Sequence, residues 1–304
     1  MKVAIIGGGA VGLLIAAYIS KAKMEPIIYT RREEQALALN EQGLKMYKNG
    51  IAENFAIKAL PISKGLSGEE EIVIVTVKQY DVKKVIDFLS NSQITKPILF
   101  LQNGMGHLTY LSELSSPSIY VGIVEHGVLR YSDTCIAHTG EGQIKVAPFK
   151  EKTASFDRFV KELDAIGFRT IMEENWYPVL VKKLIVNAVI NPLTALYKVK
   201  NGALLTNQSF YNNMIAIFQE VTCAVELKDV SKVWDEVVAI CKKTSENFSS
   251  MYKDIENNRP TEIDSILGYL LAEGKKNSMN MPLTSFLYNS IKGMENKREG
   301  EGNG

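Results

Sequence analysis

Val3 to Ile6 is a short apolar run, largely β-branched, that ends in Gly7-Gly8-Gly9, and Ala10 to Lys21 then carries apolar residues at helical spacing. The pattern predicts a strand, a tight turn and a helix. Pro26 to Thr30 reads as a second strand and Glu33 to Gln42 as a second helix closed by Gly43, so the first forty residues make one βαβ unit with a right-handed crossover. Residues 44–65 alternate weakly around Asn49-Gly50, a hairpin-like insertion. Residues 72–77 and 97–101 are uniformly apolar, as strands covered on both faces are, with a helix over 81–89 between them. Residues 119–148 read as further strands, with Thr139-Gly140-Glu141-Gly142 as a hairpin turn. After about residue 174 the period becomes 3.6, over 174–197, 207–228, 232–254, 261–274 and 282–296. The expected architecture is therefore an α/β domain over 1–174 followed by an all-helical domain over 175–304. The polar, Gly-rich end from 295 to 304 is expected to fray.

Composition narrows the function classes. The chain has 304 residues, 46% hydrophobic and 23% charged, an ordinary globular balance that argues against long disorder. Lys+Arg 35 against Asp+Glu 34 leaves a net charge of +1, which gives no bulk electrostatic case for nucleic acid or an anionic membrane. An anionic ligand must be held locally. No apolar run approaches the roughly 18 residues of a membrane span, and the first residues lack the shape of a signal peptide; the expected location is the cytoplasm. Cys135, Cys223 and Cys241 are odd in number and widely spaced, which predicts reduced thiols in or near the core rather than disulfides or a zinc site. His107, His126 and His138 show no ligand spacing and read as non-catalytic, so no metal is expected.

Gly7, Gly9 and Gly12 form GxGxxG between a predicted strand and helix, the setting of a Rossmann-type dinucleotide-binding turn. Gly7 permits the turn, Gly9 lets backbone approach a pyrophosphate, and Gly12 lets helix and strand pack closely. The helix start, through Gly8, Ala10 and Val11, presents N–H groups to the phosphates. The second strand ends in Thr30-Arg31-Arg32, with acids only inside the following helix. A guanidinium suits a ribose 2′-phosphate where an acid would repel it, so NADPH is expected over NADH.

In the apolar stretch 179–192, Lys183, Asn187 and Asn191 fall at i, i+4 and i+8 and draw one polar line along one helix face. Burying a lysine and two amides without partners is costly, so the line should face a polar cavity or a charged ligand; a Lys–Glu pair with satisfied amides is the structural alternative. Lys182 points about 100° away, free to reach water. Lys78 and Asn103 each follow a predicted strand, at the carboxyl end of the sheet where ligands bind in such folds. Asn103-Gly104-Met105-Gly106 reads equally as a bare turn. Asn247 and Ser250, at i and i+3, read as one helix face or as solvated surface, and Glu262 opens a helix, where an acid is ordinary.

In order and spacing the assembled pieces resemble the ketopantoate reductase family: Gly7 to Gly12, Val77-Lys78, Gln102 to Gly106, Lys183-Leu184 with Asn187 and Asn191 to Ala195, Asn201-Gly202, Glu246-Asn247 with Ser249 to Met251, and Thr261 to Asp264. The resemblance implies NADPH-dependent reduction of 2-dehydropantoate to (R)-pantoate, for pantothenate and coenzyme A synthesis. It implies Lys183 as general acid, with Glu262 reaching toward cofactor, substrate and Lys183. Asn187, Asn191, Asn201, Asn247 and Ser250 would bind substrate, and Asn103 would lie where cofactor and substrate meet. Gly7 to Gly12, Arg31 and Lys78 would hold the nucleotide phosphates, and the turn at Gly127-Val128 would pass the nicotinamide. Glu125 departs from the small or hydroxyl residue expected there, so a related reductase of another branched 2-oxo acid stays open, as does a non-catalytic NADP(H)-binding sensor. The implied partner is a small 2-oxo acid, and a second copy of the chain is left open.

Overall fold

The computed structural model describes residues 1–296; the expectation of fraying beyond Asn296 falls outside them. In chain order the strands are β1 (Lys2–Ile6), β2 (Glu25–Thr30), β3 (Leu44–Lys48), β4 (Ile51–Phe55), β5 (Lys58–Pro61), β6 (Ile72–Val75), β7 (Ile98–Phe100), β8 (Ile119–Val124), β9 (Gly127–Arg130), β10 (Cys135–Gly140), β11 (Ile144–Pro148) and β12 (Thr170–Met172). The helices are α1 (Ala10–Lys21), α2 (Glu33–Gln42), α3 (Gln79–Asn91), α4 (Ala154–Ala165), α5 (Trp176–Tyr197), α6 (Ala203–Thr206), α7 (Gln208–Cys223), α8 (Val230–Lys243), α9 (Ser250–Glu256), α10 (Tyr269–Lys276) and α11 (Pro282–Asn296).

The described residues divide into two compact units, one of residues 1–102 and 108–179 and one of 103–107 and the residues from 180 onward. The first holds an eight-stranded sheet in the order β12-β11-β8-β7-β6-β1-β2-β5. Its six strands from β8 to β5 are mutually parallel, and their order is the 3-2-1-4-5-6 of a doubly wound dinucleotide-binding sheet, with the switch point between β1 and β6. Both faces are covered, so β1 and β6 are buried along almost their whole length. A four-stranded sheet, β4-β3-β10-β9, packs on the other side of α1. Residues 12–19 of α1 are all buried, which explains why that helix is apolar on every side.

Several elements differ from their sequence signals. The turn at 139–142 closes no hairpin, because β10 pairs with β9 and β3 while β11 pairs with β8 and β12 in the other sheet. The 44–65 insertion holds the expected hairpin, β3 with β4, and then β5, which extends the main sheet beside β2. Helix α4 and β12 lack any forecast, although Phe156, Phe159, Val160 and Leu163 are spaced as a buried helical face. The 232–254 stretch breaks into α8 and α9, and 261–274 opens with a π-helical turn over Asp264–Gly268. Of the thiols only Cys241 is in the core, where burial pushes it up to about 11; Cys223 is exposed and Cys135 intermediate. Finally, α5 at 22 residues is long and apolar enough to meet the length and composition test for a span, contrary to the expectation that no run comes close; 67% of its most apolar window is buried inside the protein. Its apolarity belongs to a core helix.

Candidate functional site

The nucleotide side is built around the turn that leaves β1. Gly7 has φ +123, and a Cβ there would meet Thr76 Oγ1 and Val77 N at 2.9 Å. A Cβ on Gly12 would sit 1.9 Å from Gly7 O, so only glycine lets α1 start this close to the strand. Thr76 Oγ1 donates to Gly7 O at 3.0 Å and ties the end of β6 to the turn across the switch point. Gly9 is different: nothing lies within 4 Å of the position a Cβ would take. Gly9 is also the N-cap of α1; among the described residues no side chain caps it, and the first turn carries no acid. An open backbone approach and a helix start with uncapped N–H groups fit a pyrophosphate.

Arg31 follows β2, its side chain 79% exposed and its Nη1 3.6 Å from Asp81 Oδ2. Lys78 is the N-cap of α3, directly past β6. Val128 stands in β9, opposite His138 in the four-stranded sheet, rather than in a turn as expected. Glu125 is exposed, with Oε1 4.0 Å from Lys145 Nζ on β11.

The second unit collects the polar line. Along α5, Lys183, Asn187 and Asn191 are half-buried, while Leu184, Ile185, Ala188, Val189 and Ile190 are buried. Lys182, on another face, pairs with Glu236 at 2.8 Å and stays 43% exposed. Pro192 lies inside α5 without breaking it. Thr194 Oγ1 sits 2.8 Å from both Ile190 O and Ser249 Oγ, and Ser249 caps α9 by accepting from Tyr252 N. The break between α8 and α9 is clamped by two backbone bonds, Asn201 N to Asn247 O at 2.9 Å and Gly202 N to Ser245 O at 3.0 Å. Asn247 therefore precedes α9 instead of sharing a helix face with Ser250, and both side chains are exposed. Asn201 is 7% exposed and its Nδ2 donates to Thr244 Oγ1 at 2.9 Å. Its Oδ1 is buried with no hydrogen-bond partner among the described residues, an acceptor of the kind that a ligand hydroxyl satisfies.

The segment 103–107 joins this unit although it follows β7 in the chain. Gly104, φ +76, lets backbone run against Ser265, where a Cβ would meet Ser265 O at 2.2 Å. Met105 N donates to Ser265 O at 3.0 Å, and Ser265 Oγ to Asn103 O at 3.2 Å. These bonds bring Asn103 Nδ2 to Glu262 Oε2 at 2.9 Å. Glu262 is 7% exposed, so its carboxylate is a buried group held at a defined place and not a solvated helix-start acid.

Thr76 and Ser265 escape the sequence reading. Each acts through one hydroxyl on a distant backbone group, which leaves no periodic trace. Ser249, three positions before the N–H it caps, carries a recognisable N-cap pattern. Among the described residues no cluster of His, Cys, Asp and Glu could hold a metal ion.

Residues 3–151 match the family model described as ketopantoate reductase PanE/ApbA, and residues 175–295 match its C-terminal counterpart. A 2-dehydropantoate 2-reductase of Bacillus subtilis (strain 168) is 43% identical over 296 residues, 97% of this chain and 98% of that one. One from Listeria innocua is 38% identical over 303 residues, covering 98% of each. The crystal structure of a probable 2-dehydropantoate 2-reductase from Bacillus subtilis superposes with a TM-score of 0.85 at 41% identity, over 97% of this chain and 100% of that one. With both family models matched in order and relatives alike along their whole length, the chain belongs to the ketopantoate reductase family.

Proposed function

We propose that this chain reduces the C2 carbonyl of 2-dehydropantoate to the alcohol of (R)-pantoate with NADPH, the step that supplies pantothenate and coenzyme A synthesis. The observation that carries the residue assignment is the half-buried line of Lys183, Asn187 and Asn191 on a helix that is otherwise mostly apolar and buried, Lys182 on a separate face being paired with Glu236. The glycine turn, with Gly9 open and Gly7, Gly8, Ala10, Val11 and Gly12 around it, holds the pyrophosphate, and Arg31 and Lys78 hold the adenosine phosphates. Val128 borders the nicotinamide. When bound, the reduced nicotinamide supplies the hydride that the carbonyl carbon accepts.

Lys183 donates the proton to the carbonyl oxygen, and its ammonium stabilises the negative charge that develops there. Asn187, Asn191 and Asn201 orient the hydroxyl and carboxylate of the substrate, with Asn247 and Ser250 at the rim. The buried Asn201 Oδ1 gains a donor when the substrate hydroxyl arrives. Asn103 and Glu262, already hydrogen-bonded, align cofactor and substrate with Lys183. Glu125, exposed and beside Lys145, gives no reason to shift the reading to another 2-oxo acid.

The test is cofactor oxidation by the purified protein with 2-dehydropantoate, with NADH and 2-oxoisovalerate in parallel. The expected result is fast turnover of 2-dehydropantoate that prefers NADPH. Cofactor binding with no turnover of any 2-oxo acid would overturn the assignment in favour of a sensor.

A further inference from the structure

Asp133, in the turn between β9 and β10, gathers two arginines that the reading above does not use. Its Oδ1 accepts from Arg32 Nη2 at 2.5 Å and also from Arg130 Nη2. Arg130 is held a second time, by Nε donating to Ser132 O at 2.9 Å. The same turn is tied to the glycine loop, because Gln35 Nε2 donates to Gly8 O at 2.7 Å and to Asp133 O at 3.2 Å. Gln35 is 5% exposed, so this link is shielded from water. The end of β2, the glycine loop and the β9–β10 turn thus belong to one hydrogen-bonded network.

The charge count makes the network more than a staple. Two guanidiniums share one carboxylate oxygen, which leaves one positive charge uncompensated, and Arg31 adds a third guanidinium whose contact with Asp81 is long at 3.6 Å. A 2′-phosphate carries a charge of about −1.5 to −2 at neutral pH. Arg31 alone, 79% exposed, is heavily screened by water. A second guanidinium at the end of β9, held through Nε and Nη2 by the turn that follows, loses little freedom on binding and keeps Nη1 to offer to the phosphate oxygens.

We propose that Arg130 is a second specificity-determining residue for the ribose 2′-phosphate of NADPH, acting with Arg31, and that Asp133 is the positioning residue that holds Arg32 and Arg130 side by side at the end of β2. The assignment rests on the NADPH reading above, and binding of nucleotide fragments separates the two without any turnover.

The experiment is calorimetric titration of the full chain with adenosine 2′,5′-bisphosphate and with 5′-AMP. The wild type is expected to prefer the bisphosphate. Arg130→Met, which keeps the apolar stem, is expected to lose about tenfold in bisphosphate affinity while 5′-AMP affinity stays within about twofold. Arg130→Lys keeps the charge without the fork and is expected to fall between; it serves as the second variant if the Met form does not fold. Asp133→Asn is expected to weaken only the bisphosphate. Equal losses for both nucleotides, or no loss for either, would make the cluster purely structural and overturn the proposal, and tighter bisphosphate binding by Asp133→Asn would overturn the positioning role. A wild type that does not prefer the bisphosphate overturns the NADPH reading itself.

Discussion

In the proposed mechanism Lys183 and Asn201 meet the substrate in different ways, and their variants should separate chemistry from binding. Lys183 lies half-buried on α5 between buried apolar neighbours, so an alanine there removes the proton donor without opening a large core cavity. Lys183→Ala is expected to lower kcat by about 10²–10⁴-fold, the range a general acid supplies, while NADPH affinity by fluorescence titration changes little. Turnover near the wild-type rate would remove Lys183 from the mechanism. Asn201 carries one satisfied and one unsatisfied polar atom, Nδ2 on Thr244 Oγ1 and the orphaned Oδ1. Truncation to alanine loses the first bond and relieves the second, so the melting temperature should move little. The substrate, however, loses an acceptor that water cannot replace in a buried position. Asn201→Ala is expected to raise KM for the 2-oxo acid by about tenfold, the equivalent of one buried hydrogen bond; an unchanged KM would place Asn201 in the scaffold alone.

At the scale of elements, the glycine turn divides, in the proposed reading, into positions that protect the fold and one that serves a ligand. Gly12→Ala drives a methyl against Gly7 O, 1.9 Å away, and is expected to cost about 1–3 kcal/mol of stability as local overpacking. Gly9→Ala meets nothing within 4 Å, so its melting temperature should match the wild type while NADPH affinity drops. A stable Gly12→Ala, or a Gly9→Ala that binds normally, would contradict this division. A second element-scale junction joins the two sheets through Tyr18, His138 and His126. Tyr18 Oη is 2.8 Å from His138 Nδ1, His126 Nδ1 is 3.1 Å from His138 Nε2, and Gly142 N donates to His126 Nδ1. With Nδ1 of His126 accepting from Gly142 N, its proton rests on Nε2. Burial first, then His138 and Lys48, pushes His126 down to about 4; burial and Lys48 lower His138, with Glu141 opposing and Lys21 adding to the effect. A histidine whose folded pKa is lowered stabilises the protein above about pH 6.5 and loses that contribution as pH falls toward 4. The melting temperature should therefore drop between about pH 7.5 and about pH 5. His126→Phe, which keeps the stack on Phe168, should drop less; equal slopes would remove His126 as a cause. Short apolar runs announced β1, β2 and β6 because the sheet is covered on both faces, and helical spacing between turn residues announced α1, α2 and α3. The pattern missed α4, and it read 139–142 as a hairpin because the turn residues are the same whether the next strand returns to its neighbour or departs for another sheet. The α5 line was legible because polar residues at i, i+4 and i+8 stand out in an apolar helix. The Asn103–Glu262 bond was not, since it joins positions 159 residues apart.

For the whole molecule, the glycine turn, Arg31 and Lys78 lie in the first compact unit, while Lys183, Asn187, Asn191, Asn201 and Glu262 lie in the second, which also takes Asn103 from the stretch after β7. In the proposed assignment nucleotide affinity and catalytic rate therefore fall to largely separate residues, and thermal stability reads the first without the second. A ligand that binds only the folded state at a hundred times its dissociation constant stabilises it by about 2.7 kcal/mol. For a folding unit of this size that corresponds to a rise of about 5–10 °C in melting temperature. NADPH is expected to produce such a shift and NADH at the same concentration a smaller one, because the guanidiniums at the end of β2 have no 2′-phosphate to engage. Lys183→Ala should keep the full NADPH shift although it is catalytically impaired, and Gly9→Ala should lose most of it although the fold is intact. Measured by differential scanning fluorimetry on the three proteins, a shift that disappears with Lys183 would mean that the α5 lysine holds the nucleotide, and its role as proton donor would have to be reassigned.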